Sequence, residues 1–98
     1  MNTDLDSHER QLTGQWKDGI ASGIADDVDG RILWLVTTRL LPKARSEDGW
    51  NTLFLDQRDG RLWELTFPHG SLFGGGPRQL TWLSVEEAEL KYGRSVRD

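Results

Sequence analysis

The sequence contains no cysteine, and this absence excludes several kinds of chemistry. Disulfide bonds, thiolate nucleophiles, thiolate zinc sites and cysteine-held iron–sulfur clusters all require a sulfhydryl group. The first residues are polar and lack a basic start followed by an apolar run, so we expect no secretory signal peptide. Both observations are compatible with a reducing compartment, and we expect a cytoplasmic protein.

Long apolar runs are also absent from the chain. No stretch approaches the roughly 20 apolar residues that a helix needs to cross a bilayer, so we expect no membrane association. Apolar residues make up only 36% of the 98 residues, but five of them are tryptophan. Each indole removes a large area from water, and a chain of this length buries about 65% of its unfolded surface. We therefore expect one domain whose core depends on a few large side chains.

Basic residues are fewer than acidic ones. Twelve lysines and arginines stand against 16 aspartates and glutamates, which gives a formal net charge of −4. Such a chain gains nothing from a polyphosphate, and this argues against nucleic-acid binding. The acidity suits solubility, and it also suits a basic protein partner. From charge alone, we favour solubility as the explanation for the excess of acidic residues.

The N-terminal half predicts a strand followed by a long helix. Alternating apolar positions in residues 12–16 indicate a short strand, and residues 20–24 could pair back with it as a second strand. Asp26-Asp27 are typical of a helix start, because an aspartate cap accepts orphan N–H groups. Apolar residues then recur at helical spacing, and Pro42 should end the helix. Residues 43–49 are predicted to form a polar loop.

The clearest motif is a hairpin over residues 50–67. Residues 50–56 and 61–67 alternate as strands, and Asp59-Gly60 completes the turn because this pair tolerates positive φ. The alternation predicts that Trp63 shares an inner face with the other apolar residues of its strand. Glu64 then faces the other way, where it is either solvated or paired with a basic residue such as Arg61.

The C-terminal part predicts a glycine-rich loop, a strand and a short helix. The loop covers residues 68–77 and the strand residues 79–83. Ser84 and Glu87 match a capping box, and Gly93 is well placed as a helix stop. Together the elements predict an α+β fold in which a three- to four-stranded antiparallel sheet packs on one long helix, with a short C-terminal helix. Residues 1–10 and 94–98 are predicted to be disordered tails around a domain of residues 11–93.

No combination of residues is typical of an active or metal site. His8 and His69 lie in a tail and a loop, with no second ligand at metal-binding spacing. The glycine-rich loop leads into a strand rather than a helix and has no P-loop lysine, which argues against phosphate binding. Each carboxylate cluster has a sufficient structural role in a cap or a turn, and none has a basic or nucleophilic companion. We therefore expect no enzyme activity, no metal and no cofactor.

Several motifs recur in a fixed order from Gly49 to Gly93. The framework residues are Gly49, Trp50, Asp59, Gly60, Arg61, Trp63, Gly74, Gly75, Gly76 and Pro77. This order resembles the immunity protein 27 family of bacterial polymorphic toxin systems, and residues 12–16 with Arg31-Ile32 fit the same pattern more loosely. The family pattern favours tyrosine near Phe54 and Phe67 and a polar residue near Leu55, so this hairpin is more apolar than the pattern.

The resemblance implies an antidote that binds and neutralises a cognate toxin domain without an active site of its own. An acidic inhibitor would suit a toxin with a basic groove, such as a nuclease. We expect the toxin contacts among exposed carboxylates near the helix start and the hairpin, with one aromatic anchor. The predicted contact residues are Asp26, Asp27, Asp29, Trp34, Glu47, Asp48 and Glu64.

Two other functions compete with the antidote. A small ligand-binding or enzymatic domain would use the loop of residues 70–77, with a pocket lined by Glu64, His69 and Arg78. A self-assembling module would use Trp34 and Leu41, which lie one heptad apart on the far side of the predicted helix. Tryptophan is enriched in binding hot spots, but the N-terminal strand or the glycine loop could equally cover this pair.

Overall fold

The computed structural model describes residues 3–17, 24–68 and 76–97, and within them five strands form one antiparallel sheet. The elements in chain order are β1 (Gln11–Thr13), α1 (Asp27–Thr38), β2 (Leu41–Arg45), β3 (Thr52–Leu55), β4 (Leu62–Thr66), β5 (Gln79–Leu83), α2 (Val85–Tyr92) and a 3-10 turn (Arg94–Arg97). The strand order is β1-β5-β4-β3-β2. The predicted α+β class is confirmed, but the sheet has five strands rather than three or four.

The additional strand is β2, where the sequence predicted the end of the long helix and a polar loop. The helix ends at Thr38, and the backbone N–H of Arg39 bonds to the Leu35 carbonyl. Pro42 lies in β2, where the register shifts between Pro42 and Ala44. An edge strand tolerates proline, charge and a bulge, because one of its sides needs no ladder bonds. Its sequence therefore does not alternate like that of a central strand.

Both faces of the sheet are covered. The larger core lies on the α1 side and contains Leu5, Leu12, Ile32, Leu35, Leu40, Phe54, Trp63, Leu65 and Leu80. The smaller core lies on the α2 side and contains Leu53, Leu62, Leu83, Ala88 and Val96. The inward orientation predicted for Trp63 is confirmed, since this residue is fully buried. The opposite face of β4 is also buried, because α2 covers it.

The local signals for caps and turns are confirmed. Asp26 caps α1 through a hydrogen bond from the Asp29 N–H, 3.0 Å from its Oδ1. Ser84 and Glu87 form the predicted capping box of α2. Gly60 in the hairpin turn has φ +78°, and Gly93 after α2 has φ +90°. These backbone conformations favour glycine, which lacks the Cβ atom that makes them costly.

The described parts of the predicted tails are packed on the domain. Leu5 is only 4% exposed and belongs to the larger core, and Val96 is 5% exposed in the smaller one. Each tail thus contributes one apolar side chain to a core, a role that its polar composition does not reveal. The predicted strand over residues 20–24 falls largely outside the described residues, but Trp16 and Ala25 form an isolated antiparallel bridge.

Candidate functional site

Five of the seven predicted contact residues lie at one end of the sheet. Because the strands are antiparallel, β2 and β4 end where β3 and β5 begin. The turn of residues 46–51 lies at this end, and so does the start of α1, because Asp29 bonds to Arg78 just before β5. We call this region the acidic end, and it comprises Asp26, Asp27, Asp29, Glu47, Asp48 and Trp50. From β5 to β2 it spans three strand spacings, or about 14 Å.

The start of α1 presents one exposed carboxylate and hides another. Asp27 is exposed in the first helical turn, where its negative charge suits the positive end of the helix dipole. Asp29 is only 7% exposed and accepts hydrogen bonds from the Arg78 backbone N–H at 2.6 Å and from Arg78 Nη1 at 2.8 Å. Asp29 thus joins α1 to the start of β5, and a partner could bond to it only by displacing Arg78.

Gly14 explains how closely these elements approach one another. A Cβ atom at Gly14 would lie 2.9 Å from both the Arg78 carbonyl oxygen and the Asp29 Cβ. The Gly14 N–H also bonds to that carbonyl at 2.8 Å. The glycine of the Leu-Thr-Gly-Gln-Trp motif is therefore required by packing, and it fixes the position of the α1 start relative to the sheet.

A network of short hydrogen bonds holds the turn of residues 46–51. The Ser46 hydroxyl donates to Asp48 Oδ1 at 2.5 Å and accepts from the Asn51 N–H at 3.0 Å. The Trp50 N–H donates to the same Asp48 oxygen at 2.9 Å. Gly49 adopts φ +78°, which the tight turn requires. The Ser46 hydroxyl, and after it the Trp50 N–H, lower the pKa of Asp48 below its usual value.

Trp50 projects from this turn and is 48% exposed. Its ring meets Phe67 edge to face, with centroids 5.8 Å apart, and the Arg78 guanidinium lies 6.0 Å from the Phe67 centroid. A row of contacts from Asp29 to Trp50 thus crosses the end of the sheet. The sequence predicted Trp50 as a framework residue and as the first residue of a strand, but β3 begins only at Thr52. The signal for exposure was its place in a turn between the polar residues Asp48 and Asn51.

Trp34 and Glu64 lie elsewhere. Trp34 is half-buried against the larger core, with the Arg39 guanidinium 4.9 Å from its ring centroid. Glu64 is 4% exposed on the α2 face, where it accepts hydrogen bonds from Lys91 Nζ at 2.9 Å and from the Tyr92 hydroxyl at 2.8 Å. Burial, together with this hydrogen bond to Glu64, raises the pKa of Tyr92. Glu64 is thus paired with a basic residue and not solvated, which is one of the two alternatives predicted from the sequence.

The partner suggested for Glu64 was wrong, because Arg61 Nε instead bonds to Asp59 at 2.6 Å. The actual partners are 27 and 28 residues away along the chain. They come from α2, which crosses the face that Glu64 occupies. Glu64 therefore helps to attach α2 to the sheet, and no open surface presents its carboxylate to a partner.

The described residues do not assemble the two competing sites. Glu64 lies on the α2 face, whereas Arg78 bonds to Asp29 of α1, and His69, Gly74 and Gly75 fall outside the described residues. Leu41 belongs to β2 rather than to the helix that carries Trp34. Within residues 3–17, 24–68 and 76–97 no group of histidine and carboxylate side chains could hold a metal ion. None of the described helices is long and apolar enough to cross a membrane.

Comparison with known proteins identifies one family. The model of the family described as Immunity protein 27 matches residues 21–84, about two thirds of the chain. The match covers α1 and strands β2–β5, including the turn of residues 46–51, and it leaves β1 and α2 outside. No curated protein and no solved structure gives a significant match. The matched segment contains the central framework motifs and most of the sheet, and the chain belongs to the immunity protein 27 family.

Proposed function

We propose that this protein neutralises a cognate toxin domain by binding it, and that the acidic end is the contact surface. The observation that carries the proposal is membership of an immunity protein family. The geometry of the protein agrees with a binding role, since the exposed carboxylates of the acidic end form no ion pair within the described residues. Binding alone is sufficient for an inhibitor, so the protein needs neither a cofactor nor catalysis.

The carboxylates of the acidic end favour a basic partner. Asp27, Glu47 and Asp48 are exposed, and among the described residues none of them forms an ion pair. Charges of this kind steer association and select partners by complementarity. A toxin that acts on a polyanion, such as a nuclease, has the required basic groove. The protein would then inhibit the toxin by covering that groove.

Charge reversal at the start of α1 tests the contact surface. The Asp27→Lys variant should bind the cognate toxin domain about ten-fold more weakly, because one attractive charge becomes repulsive. Asp26 is left unchanged, since its side chain caps the helix and its loss would also destabilise the domain. Isothermal titration calorimetry at about 50 and 500 mM salt measures the affinity and shows how much it weakens when salt screens the charges.

Glu86→Lys is the matched control for this experiment. Glu86 is an exposed carboxylate in the first turn of α2. Reversing its charge should therefore destabilise its helix through the helix dipole about as much as the reversal at Asp27 does. It lies at the other end of the sheet, where β5 finishes. Equal losses of affinity in the two variants, or binding insensitive to salt, would contradict the acidic end as the contact surface. A wild-type chain that does not bind the toxin would overturn the proposed function itself.

A further inference from the structure

We infer that Trp50 is the aromatic anchor of the acidic end, and that it fits an apolar cleft rimmed by basic side chains on the toxin. This inference rests on the proposed function and names the recognition chemistry of the same surface. Trp50 differs from the other four tryptophans of the chain, because Trp63 is fully buried and the remaining three are half-buried. Its 48% exposure leaves a large apolar surface in water.

The turn presents the Trp50 side chain in a fixed position. The Trp50 N–H donates to Asp48 and the Asn51 N–H donates to the Ser46 hydroxyl, so the backbone is held on both sides of the indole. Phe67 supports one side of the ring, and Phe67 in turn lies beside the Arg78 guanidinium that Asp29 holds. A side chain that is already ordered loses little entropy on binding. A rigid and exposed tryptophan has the properties of a binding hot spot.

The charges around Trp50 define its partner. Glu47 and Asp48 are exposed carboxylates within three residues of the indole. An indole with carboxylates beside it is complementary to an apolar cleft with lysines or arginines at its rim. A cation in that rim can also interact with the face of the ring. The more exposed Leu90, at 89%, has no such supporting network among the described residues.

Two substitutions at Trp50 test the anchor. Trp50→Ala should weaken binding to the cognate toxin domain by at least roughly 30-fold, the effect of a hot-spot residue. Trp50→Phe, which keeps an aromatic ring against Phe67, should lose only a few-fold. Leu90→Ala is the matched control, since it removes a more exposed apolar side chain outside the acidic end, and it should bind like the wild type. Thermal unfolding of each variant checks that the domain is folded.

A second measurement does not depend on any substitution. In ¹⁵N–¹H spectra of the wild-type chain, the indole N–H of Trp50 should shift or broaden more than the other four indole signals when toxin is added. If Trp50→Ala binds within three-fold of the wild type, or if the Trp50 signal does not move, the anchor is contradicted while the proposed function stands. A wild-type chain that fails to bind at all would overturn both.

Discussion

At one end of the sheet the carboxylates lie beside arginines, whereas at the other end most of them face solvent. We call the first region the arginine end, and it comprises residues 3–10 with Arg31, Arg39, Arg58 and Arg61. Its ion pairs are Arg31–Glu9 at 2.7 Å, Arg39–Asp4 at 3.1 Å, Arg58–Asp56 at 3.1 Å, Arg58–Asp4 at 3.9 Å and Arg61–Asp59 at 2.6 Å. At the acidic end the described contacts include only one such pair, Arg78–Asp29.

This difference separates structural carboxylates from those available to a partner. The formal charge of −4 says nothing about which carboxylates are neutralised within the molecule. At the arginine end the guanidinium groups also bind backbone carbonyls of the N-terminal segment. Arg31 reaches Thr3 and Asp4, Arg58 reaches Leu5, and Arg61 reaches Asp6 and Glu9. The acidity there maintains the fold, whereas we propose that the acidity of the acidic end serves recognition.

The largest effect on stability should come from the N-terminal segment. Leu5→Ala removes a side chain that is 4% exposed in the larger core, so it should lower the free energy of unfolding by about 3 kcal/mol. Urea denaturation of the full chain measures this. Leu90→Ala, at an exposed position on α2, should change the stability by less than about 0.5 kcal/mol. Equal stabilities of the Leu5 variant and the wild type would show that residues 3–10 are not part of the folded unit.

The sequence predicted the features that depend on neighbouring residues. The Asp26 cap, the Ser84–Glu87 capping box and the Gly60 turn each arise from contacts within a few positions, so their residue types were sufficient. The family framework was predictable for a similar reason, because its motifs keep their order and spacing along the chain. Local patterns therefore established the element types of most of the chain and the family.

The features that the sequence did not predict depend on distant contacts. β2 looks like a loop because only its pairing with β3 makes it a strand. Leu5 belongs to a polar segment whose anchoring arginines follow 26 or more positions later, at Arg31 and beyond. In both cases the deciding partner is remote in the sequence, so no local pattern carries the information.

A smaller effect should appear in the pH dependence of stability. The hydrogen bonds from Arg31 lower the pKa of Glu9 from its usual value of 4.5, although burial opposes this change. A carboxyl group whose pKa is lower in the folded state contributes stability above its unfolded pKa, and loses it as the pH falls through the folded value. Glu9→Gln should therefore lose less stability than the wild type between about pH 5 and pH 3.

Glu47→Gln provides the matched comparison at the acidic end. Glu47 is exposed and forms no ion pair among the described residues, so its substitution should leave the pH dependence of stability like that of the wild type. Urea denaturation of the three proteins at each pH measures the difference. If the Glu9 and Glu47 variants showed the same dependence, the two ends would not differ in how their carboxylates support the fold.

The smallest effect concerns how Asp48 keeps its charge without a nearby cation. At the arginine end guanidinium groups stabilise the carboxylates, and in doing so they cancel their charge. In the turn of residues 46–51 a hydroxyl and a backbone N–H lower the pKa of Asp48, and these neutral donors leave its negative charge uncancelled. Ser46→Ala should therefore raise the pKa of Asp48 toward 3.8 while preserving the charge of the chain at neutral pH.

Carboxyl-detected NMR titration of the variant and the wild type measures this pKa. Glu9 serves as the internal control, because Arg31 rather than the turn lowers its pKa, and its titration should be the same in both proteins. If the pKa of Asp48 were unchanged in the variant, the Ser46 hydroxyl would not be the group that lowers it. An increase for Asp48 alone would show that the acidic end stabilises its charge with neutral donors. That arrangement leaves the charge free to attract a basic partner, which a carboxylate paired with arginine cannot do.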